Sequence, residues 1–260
     1  MIGQLSDNIW RVGGGPWDGS VTGLTSEGSN TYLVKLGESA TLIDCGCVKC
    51  KGQVETNIRE ANVAPEQVKD LILTHSHWDH SEATAAWRED YGLRVHLNDL
   101  GTEFLTKDDL RLTGAYKNGP DHGIRAFPVD NRMMNDEPFM AGMLIYTPVF
   151  APGHTPDSTL ITAEIDGKHV GFCGDVTFAR NAAGKLGTIG WLDMLWQSSL
   201  SQYKDSLRRM SRMTFDLLLP GHGNPIVGRE DAKEAIAASL ATVEHLSSDP
   251  WISSFGTVAD

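Results

Sequence analysis

The stretch Thr74-His75-Ser76-His77-Trp78-Asp79-His80 carries three imidazoles and one carboxylate within six consecutive residues. It directly follows the apolar run 71–73, which predicts a buried strand that ends where the polar cluster begins. Imidazole nitrogen and carboxylate oxygen are ligands that suit a borderline divalent ion such as zinc. Because one residue separates His75 from His77, an extended segment points both side chains the same way. The segment therefore predicts a metal site at the end of a buried strand.

Three later residues occur in the same setting, each just after an apolar strand and close to a glycine. They are His154 after Gly153, Asp175 after Gly174, and His222 after Gly221. Glycine lets the backbone turn sharply and leaves room beside a crowded ion. Ligands from the ends of several strands converge on one edge of a sheet, so we expect these residues to meet the first cluster there. The other histidines are expected to be structural: His96, His122, His169 and His245.

The rest of the chain alternates apolar strands with helices. Strands are predicted at 8–12, 31–36, 40–44, 71–74, 93–97, 143–148, 159–165, 169–173 and 215–219, and helices at 53–61, 81–91, 199–213 and 229–246, with a short helix at 64–66. The Gly- and Ser-rich segment 13–29 is predicted to be a long loop, and the irregular segment 99–135 a lid or a wall of the pocket. No linker or repeat interrupts the pattern, so we predict a single domain over residues 1–260.

Composition excludes several classes of function. The chain has 260 residues and a formal net charge of -12, which repels phosphate backbones and anionic membranes. No run of about 18 apolar residues predicts a membrane span. The N-terminus lacks a basic stretch followed by an apolar core, and four cysteines in a chain of this length do not form a disulfide scaffold. We therefore expect a cytoplasmic protein that acts on a small molecule.

The spaced ligands resemble those of the metallo-β-lactamase superfamily. The resemblance is carried by His75-x-His77-x-Asp79-His80, followed by His154, Asp175 and His222 in the order of that family. Leu42-Ile43-Asp44-Cys45-Gly46 resembles the strand and aspartate that precede the metal cluster there. The resemblance implies an α/β fold, a four-layer αβ/βα sandwich, with the site along one edge.

The resemblance also implies two divalent ions, with zinc favoured and iron or manganese left open. One ion is held by His75, His77 and His154, the second by Asp79, His80 and His222, and Asp175 bridges them. Two ions lower the pKa of a shared water to about 7, so a metal-bound hydroxide attacks the carbonyl of a small ester, thioester, lactone or amide. Asp79 holds its metal and carries the proton to the leaving atom.

The subfamily is harder to predict. A bridging carboxylate at Asp175 is similar to glyoxalase II and to N-acyl homoserine lactonases, whereas true β-lactamases typically lack it. Phe178 is similar to the aromatic of glyoxalase II and cannot hydrogen-bond a substrate carbonyl as the lactonase tyrosine does. Two other activities stay open: a mononuclear iron oxygenase similar to persulfide dioxygenases, which uses residues like His75, His154 and Asp175, and β-lactam hydrolysis as a main or side activity.

Further residues near the ligands have two interpretations each. The aromatics that flank the ligands could form an apolar wall for the substrate or belong to the core or a homodimer contact: Trp17, Trp78, Phe178, Trp191 and Trp196. Asp44 could fix the metal-binding loop or an imidazole, or simply cap a turn. Cys45, Cys47 and Cys50 could bind a soft metal or be ordinary thiols.

Overall fold

Two facing β-sheets form the centre of the computed structural model, which describes residues 3–14, 28–106, 112–114, 124–179 and 188–246. Within these ranges the first sheet runs in the order β1 to β7 and the second in the order β13-β12-β11-β10-β9-β8. The strands are β1 (Gly3–Ser6), β2 (Ile9–Arg11), β3 (Tyr32–Leu36), β4 (Ser39–Ile43), β5 (Val68–Ile72), β6 (Arg94–Asn98), β7 (Asn131–Met133), β8 (Phe139–Ala141), β9 (Leu144–Phe150), β10 (Thr159–Ile165), β11 (Lys168–Gly174), β12 (Leu217–Pro220) and β13 (Ile226–Val227). The helices are α1 (Lys51–Glu60), α2 (Trp78–Ser81), α3 (Thr84–Tyr91), α4 (Asp99–Thr106), α5 (Leu200–Met210) and α6 (Arg229–His245).

The first sheet is apolar on both faces because successive side chains of a strand point to opposite sides. Leu71 packs with Ile58 of α1 and Trp87 of α3 on the outer face. The next residue, Ile72, points to the inner face and packs in the same cluster as Phe172 of the second sheet. Full burial of such side chains stabilises the fold by roughly 1.5–3 kcal/mol each.

The second sheet repeats this arrangement on the other side of the molecule. Leu217 and Leu219 face the first sheet, whereas Leu218 packs with Leu207 of α5 and Ile236 of α6. The molecule therefore has four layers, in the order helices, sheet, sheet and helices, with an apolar cluster between each neighbouring pair. The predicted α/β architecture, a four-layer αβ/βα sandwich, is confirmed.

The ends of four strands bring the predicted ligands to one edge. The loop after β5 meets the start of β10, where the Thr159 N–H donates to the carbonyl of Thr74 at 2.9 Å. The strands β11 and β12 run parallel, and the Gly221 N–H donates to the Gly174 carbonyl at 2.8 Å. The Asn30 N–H donates to the Gly221 carbonyl at 2.6 Å and joins the two sheets at this edge.

The structure differs from the elements predicted from sequence mainly in the short helices and strands. The helix predicted over 81–91 begins later, as α3 at Thr84, and a separate short helix, α2, precedes it and ends at Ser81. The segment 99–135 contains α4 and all of β7, while residues 107–111 and 115–123 lie outside the described ranges, so its role as a lid or a wall of the pocket stays a prediction. The single domain over 1–260 also stays a prediction. Among the described residues, no helix combines the length and apolar character needed to cross a bilayer.

Candidate metal centre

The seven predicted ligands meet at this common edge. In each of three groups, one ligand atom per residue lies within 4.8 Å of the others. The groups are His75, His77 and His154 (the first trio), Asp79, His80 and His222 (the second trio), and a third group of His75, His80 and Asp175. The first trio is buried, whereas His222 and Asp79 of the second are 18% and 19% exposed. Access from solvent is therefore on the side of the second trio.

Asp175 lies between the two trios. Its Oδ2 is 3.7 Å from Nε2 of His154 and 3.6 Å from Nε2 of His222. Its Oδ1 is 3.3 Å from Nε2 of His80. Within the second trio, Nε2 of His222 is 3.0 Å from Oδ2 of Asp79. One carboxylate thus contacts both trios, which is the position that a bridging ligand requires.

Several polar atoms of the predicted metal ligands have no hydrogen-bond partner within the described residues. These buried atoms are Nε2 of His75, His77 and His80, and Oδ1 of Asp175. The 3.3 Å approach of His80 to Asp175 is an ion-pair distance without hydrogen-bond alignment. An unsatisfied buried polar atom costs about 1–3 kcal/mol. Imidazole nitrogens and carboxylate oxygens that lie together without other partners, as Nε2 of His75 and of His80 and Oδ1 of Asp175 do, fit divalent cations.

Asp44 orients imidazoles of both trios. Its Oδ2 accepts hydrogen bonds from Nδ1 of His80 and from Oγ1 of Thr74, each at 2.8 Å. Its Oδ1 accepts from the Thr74 backbone N–H at 2.8 Å. Oγ1 of Thr74 in turn lies 3.1 Å from Nδ1 of His75, from which it accepts, since its own proton goes to Asp44. These bonds direct Nε2 of both histidines away from Asp44, so Asp44 contacts a predicted ligand and the loop at once.

The first trio is held by partners that the sequence analysis did not identify. Nδ1 of His154 donates to the carbonyl of Trp191 at 2.6 Å, which leaves its Nε2 as the acceptor. Oδ2 of the buried Asp157 accepts from the Ser76 N–H at 2.8 Å and fixes the peptide between His75 and His77. The available signal was an acidic residue close after His154, but nothing in its spacing indicates its burial.

The loop that carries His222 is fixed by β3 and the residues before it. Nδ2 of Asn30 donates to the carbonyls of Pro220 at 2.9 Å and Gly223 at 3.0 Å. Oη of Tyr32 donates to the same Pro220 carbonyl at 2.7 Å. These side chains were missed because they contact backbone from the other sheet, and no local pattern reports such a contact.

Burial and neighbouring charges set the protonation of the ligands. Desolvation, followed by the neighbouring imidazoles, lowers the pKa of His75 and His77 well below the ordinary value. Desolvation alone would raise the pKa of Asp79, but His80 and His222 outweigh it and lower this pKa to about 2. Desolvation opposes protonation of His80, yet Asp175 and Asp79 raise its pKa. The first trio is thus neutral and the carboxylate of Asp79 ionised near neutral pH, as metal ligation requires.

Two glycines make the close approach of the ligands sterically feasible. A Cβ on Gly221 would lie 2.4 Å from Oδ1 of Asp175 and 2.5 Å from Cε1 of His80. Gly174 has a φ of +49°, and a Cβ there would lie 2.6 Å from Oγ1 of Thr74. The predicted role of glycine beside the ligands is therefore explained by direct contact at these positions.

The predicted aromatic residues occupy different places. The Trp196 ring centroid is 4.4 Å from that of His77, and Phe178 is 6.0 Å from His222. Trp191 contributes its carbonyl to His154, and Trp78 packs against the apolar cluster beneath the first sheet. Trp17 lies outside the described residues.

Comparison with known families agrees with this geometry. The family model of the metallo-beta-lactamase superfamily matches residues 24–222, which include all seven predicted ligands. The chain belongs to the metallo-β-lactamase superfamily. The fold of this superfamily implies divalent metal binding, and its curated relatives support a metallohydrolase.

Relatives in the superfamily include hydrolases of several kinds. The probable metallo-hydrolase YqjP of Bacillus subtilis (strain 168) is 23% identical over 223 residues, which cover 75% of this chain and 67% of the relative. The atrochrysone carboxyl ACP thioesterase AgnL7 of Paecilomyces divaricatus is 25% identical over 224 residues, which cover 85% of this chain and 57% of the thioesterase. This chain thus spans little more than half the length of that relative.

Solved structures of the superfamily share the fold at low identity. The native FEZ-1 metallo-beta-lactamase from Legionella gormanii aligns with a TM-score of 0.72 and 17% identity, covering 94% of each chain. BJP-1, a subclass B3 metallo-beta-lactamase of Bradyrhizobium japonicum, aligns with a TM-score of 0.67 and 19% identity, covering 94% of this chain and 90% of its own. At this identity the likeness establishes the architecture alone.

Proposed function

We propose that this chain is a dinuclear metal-dependent hydrolase that attacks the carbonyl carbon of a small ester, thioester, lactone or amide and breaks its bond to the leaving oxygen, sulfur or nitrogen. The observation that supports this proposal is the convergence of two ligand trios on Asp175. A single-ion centre needs only one trio, and the second trio of Asp79, His80 and His222 is equally close-packed. Nε2 of His75 and of His80, which have no hydrogen-bond partner among the described residues, support the same conclusion.

In this proposal His75, His77 and His154 would hold one ion, Asp79, His80 and His222 would hold the other, and Asp175 would contribute to both. Two bound divalent ions, zinc in the first place, would supply an acidified water and polarise the substrate carbonyl. Asp79 is ionised and partly exposed, so its carboxylate can accept a proton and return it to the leaving atom. Asp44 and Thr74 keep the imidazoles oriented, and Trp196 shields the buried first trio from water.

The surroundings of the site favour a substrate with an apolar portion. Trp196 and Phe178 lie beside the histidines, and the adjacent Met194 and Leu195 are 69% and 50% exposed. Exposed apolar side chains next to a partly open centre can bind an acyl chain or a ring. Thioesters are the first substrates to test, because a relative similar over 85% of this chain is named as a thioesterase.

The test is a reconstitution experiment. Metal-free protein is loaded with zinc, manganese or iron, the metal per chain is measured, and a panel of esters, thioesters, lactones, amides and a chromogenic β-lactam is assayed. We expect about two ions per chain and hydrolysis of at least one carbonyl class. One iron per chain with oxygen consumption would instead establish the oxygenase, and preferred turnover of the β-lactam would make that the main activity.

Variants of the first trio test the ligand assignment. His77→Ala and His154→Ala should lose metal and reduce turnover by at least about a hundredfold. His169→Ala is the matched control, because this histidine is 38% exposed and its nearest ionic partner is Glu164. Full turnover in either ligand variant contradicts the proposed centre.

A further inference from the structure

Two of the cysteines lie against each other outside the metal centre. The Sγ atoms of Cys47 and Cys50 are 2.6 Å apart. Cys45 is directed elsewhere, with its Sγ 3.3 Å from the His80 carbonyl and 3.4 Å from Oγ1 of Thr84. The interpretation of the three cysteines as one soft-metal site is therefore not supported, because Cys45 faces away from the other two.

The backbone holds the pair in a single turn. The Cys50 N–H donates to the Cys47 carbonyl at 3.0 Å, and Cys50 caps the start of α1. Cys47 is fully buried, whereas Cys50 is partly exposed. A reagent from solvent thus reaches Cys50 first, and Cys47 lies directly behind it.

The segment of the pair is also bound to the helices that follow the metal loop. The Ala83 N–H donates to the Gly46 carbonyl at 3.2 Å, and the Val48 N–H donates to Oε2 of Glu82 at 3.0 Å. A Cβ on Gly28 would lie 3.3 Å from Sγ of Cys50, so the backbone at Gly28 also packs closely on the pair. These contacts keep the two thiols together rather than letting the loop separate them.

We propose that Cys47 and Cys50 form a reversible dithiol–disulfide site that takes a low-molecular-weight disulfide as its oxidant. The Cys50 thiol gives its proton to solvent, and the resulting thiolate attacks one sulfur of the small disulfide. A mixed disulfide forms on Cys50 while the first small thiolate leaves and takes up a proton. Sγ of Cys47 then attacks Sγ of Cys50 and expels the second thiolate, to which its proton is transferred. Two protein thiols are oxidised and one small disulfide is reduced to two thiols. This site goes beyond the proposed hydrolase function and does not depend on it.

The test uses the zinc-loaded protein incubated with oxidised glutathione. Thiols are counted in denaturant, and the modified cysteines are located by peptide mass mapping, for which Lys49 offers a cleavage point between the two sulfurs. We expect the four thiols to fall to two, a cross-link between Cys47 and Cys50, and recovery of all four with dithiothreitol. Persistence of four thiols, or oxidation that maps to Cys45 or Cys173, overturns the proposal.

Single variants separate the two roles in the exchange. C47S should stop at one glutathione on Cys50, and C50S should take up none at the buried Cys47. C45S is the matched control and should form the cross-link as the parent does. Circular dichroism checks that each variant is folded, and the mapping of the unmodified sequence decides the proposal even where a variant fails to fold.

Discussion

A single carboxylate, that of Asp44, is hydrogen-bonded to both an imidazole of the second trio and the threonine that supports His75. Its loss removes a negative partner from His80 and frees the rotation of both rings. Such supporting contacts are typically worth about a tenfold to hundredfold change in metal affinity. Asp44 therefore acts on the centre through its ligands.

We predict that Asp44→Ala weakens zinc binding by about tenfold to a hundredfold, without abolishing the fold. Competition with a chromogenic chelator measures the affinity of each ion. Asp205→Ala is the control, since that side chain is 78% exposed. Equal affinity in the Asp44 variant and in the control would show that Asp44 only caps its turn.

A second prediction concerns Gly221, next to His222. Gly221→Ala places a methyl group 2.4 Å from Asp175 and 2.5 Å from His80, so at least one ligand must move. We expect loss of metal and at least about a tenfold fall in turnover of the loaded protein. Gly52→Ala is the control, because a Cβ there would meet no described atom within 4 Å beyond its own turn of α1, and alanine favours a helix. Metal content at the parent level in the Gly221 variant would contradict this steric argument.

The ligands could be predicted from sequence because each follows an apolar strand and adjoins a glycine or another ligand. The one-residue spacing of His75 and His77 was enough to predict that their side chains point to the same place, and they lie in the same trio. Asp157, Asn30 and Tyr32 could not be predicted in this way, since each acts on backbone far away in the sequence. Their function depends on how the sheets face each other, which no local pattern encodes.

At the scale of elements, the pairing of β5 with β6 includes a buried charge. Asp70 is fully buried and is bound by Nε2 of His96 at 2.8 Å, by Arg94 and by the Gly142 N–H. Burial alone raises the pKa of Asp70, but the hydrogen bonds from His96, Arg94 and Gly142 outweigh it and lower the pKa below its ordinary value. Because the pKa is lower in the folded state, folding favours the ionised form.

We therefore predict a pH-dependent cost for Asp70→Asn. The stability from this carboxylate is present above about pH 4, the ordinary aspartate range, and is lost as the pH falls through the lower folded pKa. The variant should be less stable by roughly 1–3 kcal/mol near pH 7, and the difference should shrink below about pH 4. Urea unfolding of the metal-free protein at several pH values across this range measures the difference in the free energy of unfolding, with Asp205→Asn as the control. A constant difference at all pH values would exclude ionisation of Asp70 as the cause.

The longer elements could be predicted from sequence and the shorter ones could not. The strands β10 and β12 carry enough apolar residues to be identified alone. The edge strands β1, β7, β8 and β13 have two to four residues each, and their pairing is decided by the neighbouring strand. The division between α2 and α3 has a similar origin, because α2 is set by the metal loop.

At the scale of the whole molecule, the ligands come from both sheets. Residues 75–80 follow β5 of the first sheet, whereas His154, Asp175 and His222 follow β9, β11 and β12 of the second. Bound ions would therefore join the two halves and stabilise only the folded form.

We predict that removal of metal lowers the melting temperature by several degrees, roughly 2–4 °C for each kcal/mol of lost stabilisation in a domain of about this size. Calorimetry of the zinc-loaded and chelator-dialysed protein measures the shift, and added zinc should reverse it. His154→Ala, which removes a ligand of the first trio only, should show a smaller shift with chelator than the parent protein. A parent protein that melts identically in both states, once slow release is excluded by metal analysis, contradicts a centre that joins the sheets.

The distribution of ligands over the two sheets also has a consequence during synthesis. The segment with His75 leaves the ribosome well before His222, so residues 75–80 are exposed while the later candidate ligands are still untranslated. All seven candidate ligands are together only once β12 has emerged and docked. A chain truncated before β12 would lack His222, so ion binding at the second trio would be confined to the completed chain.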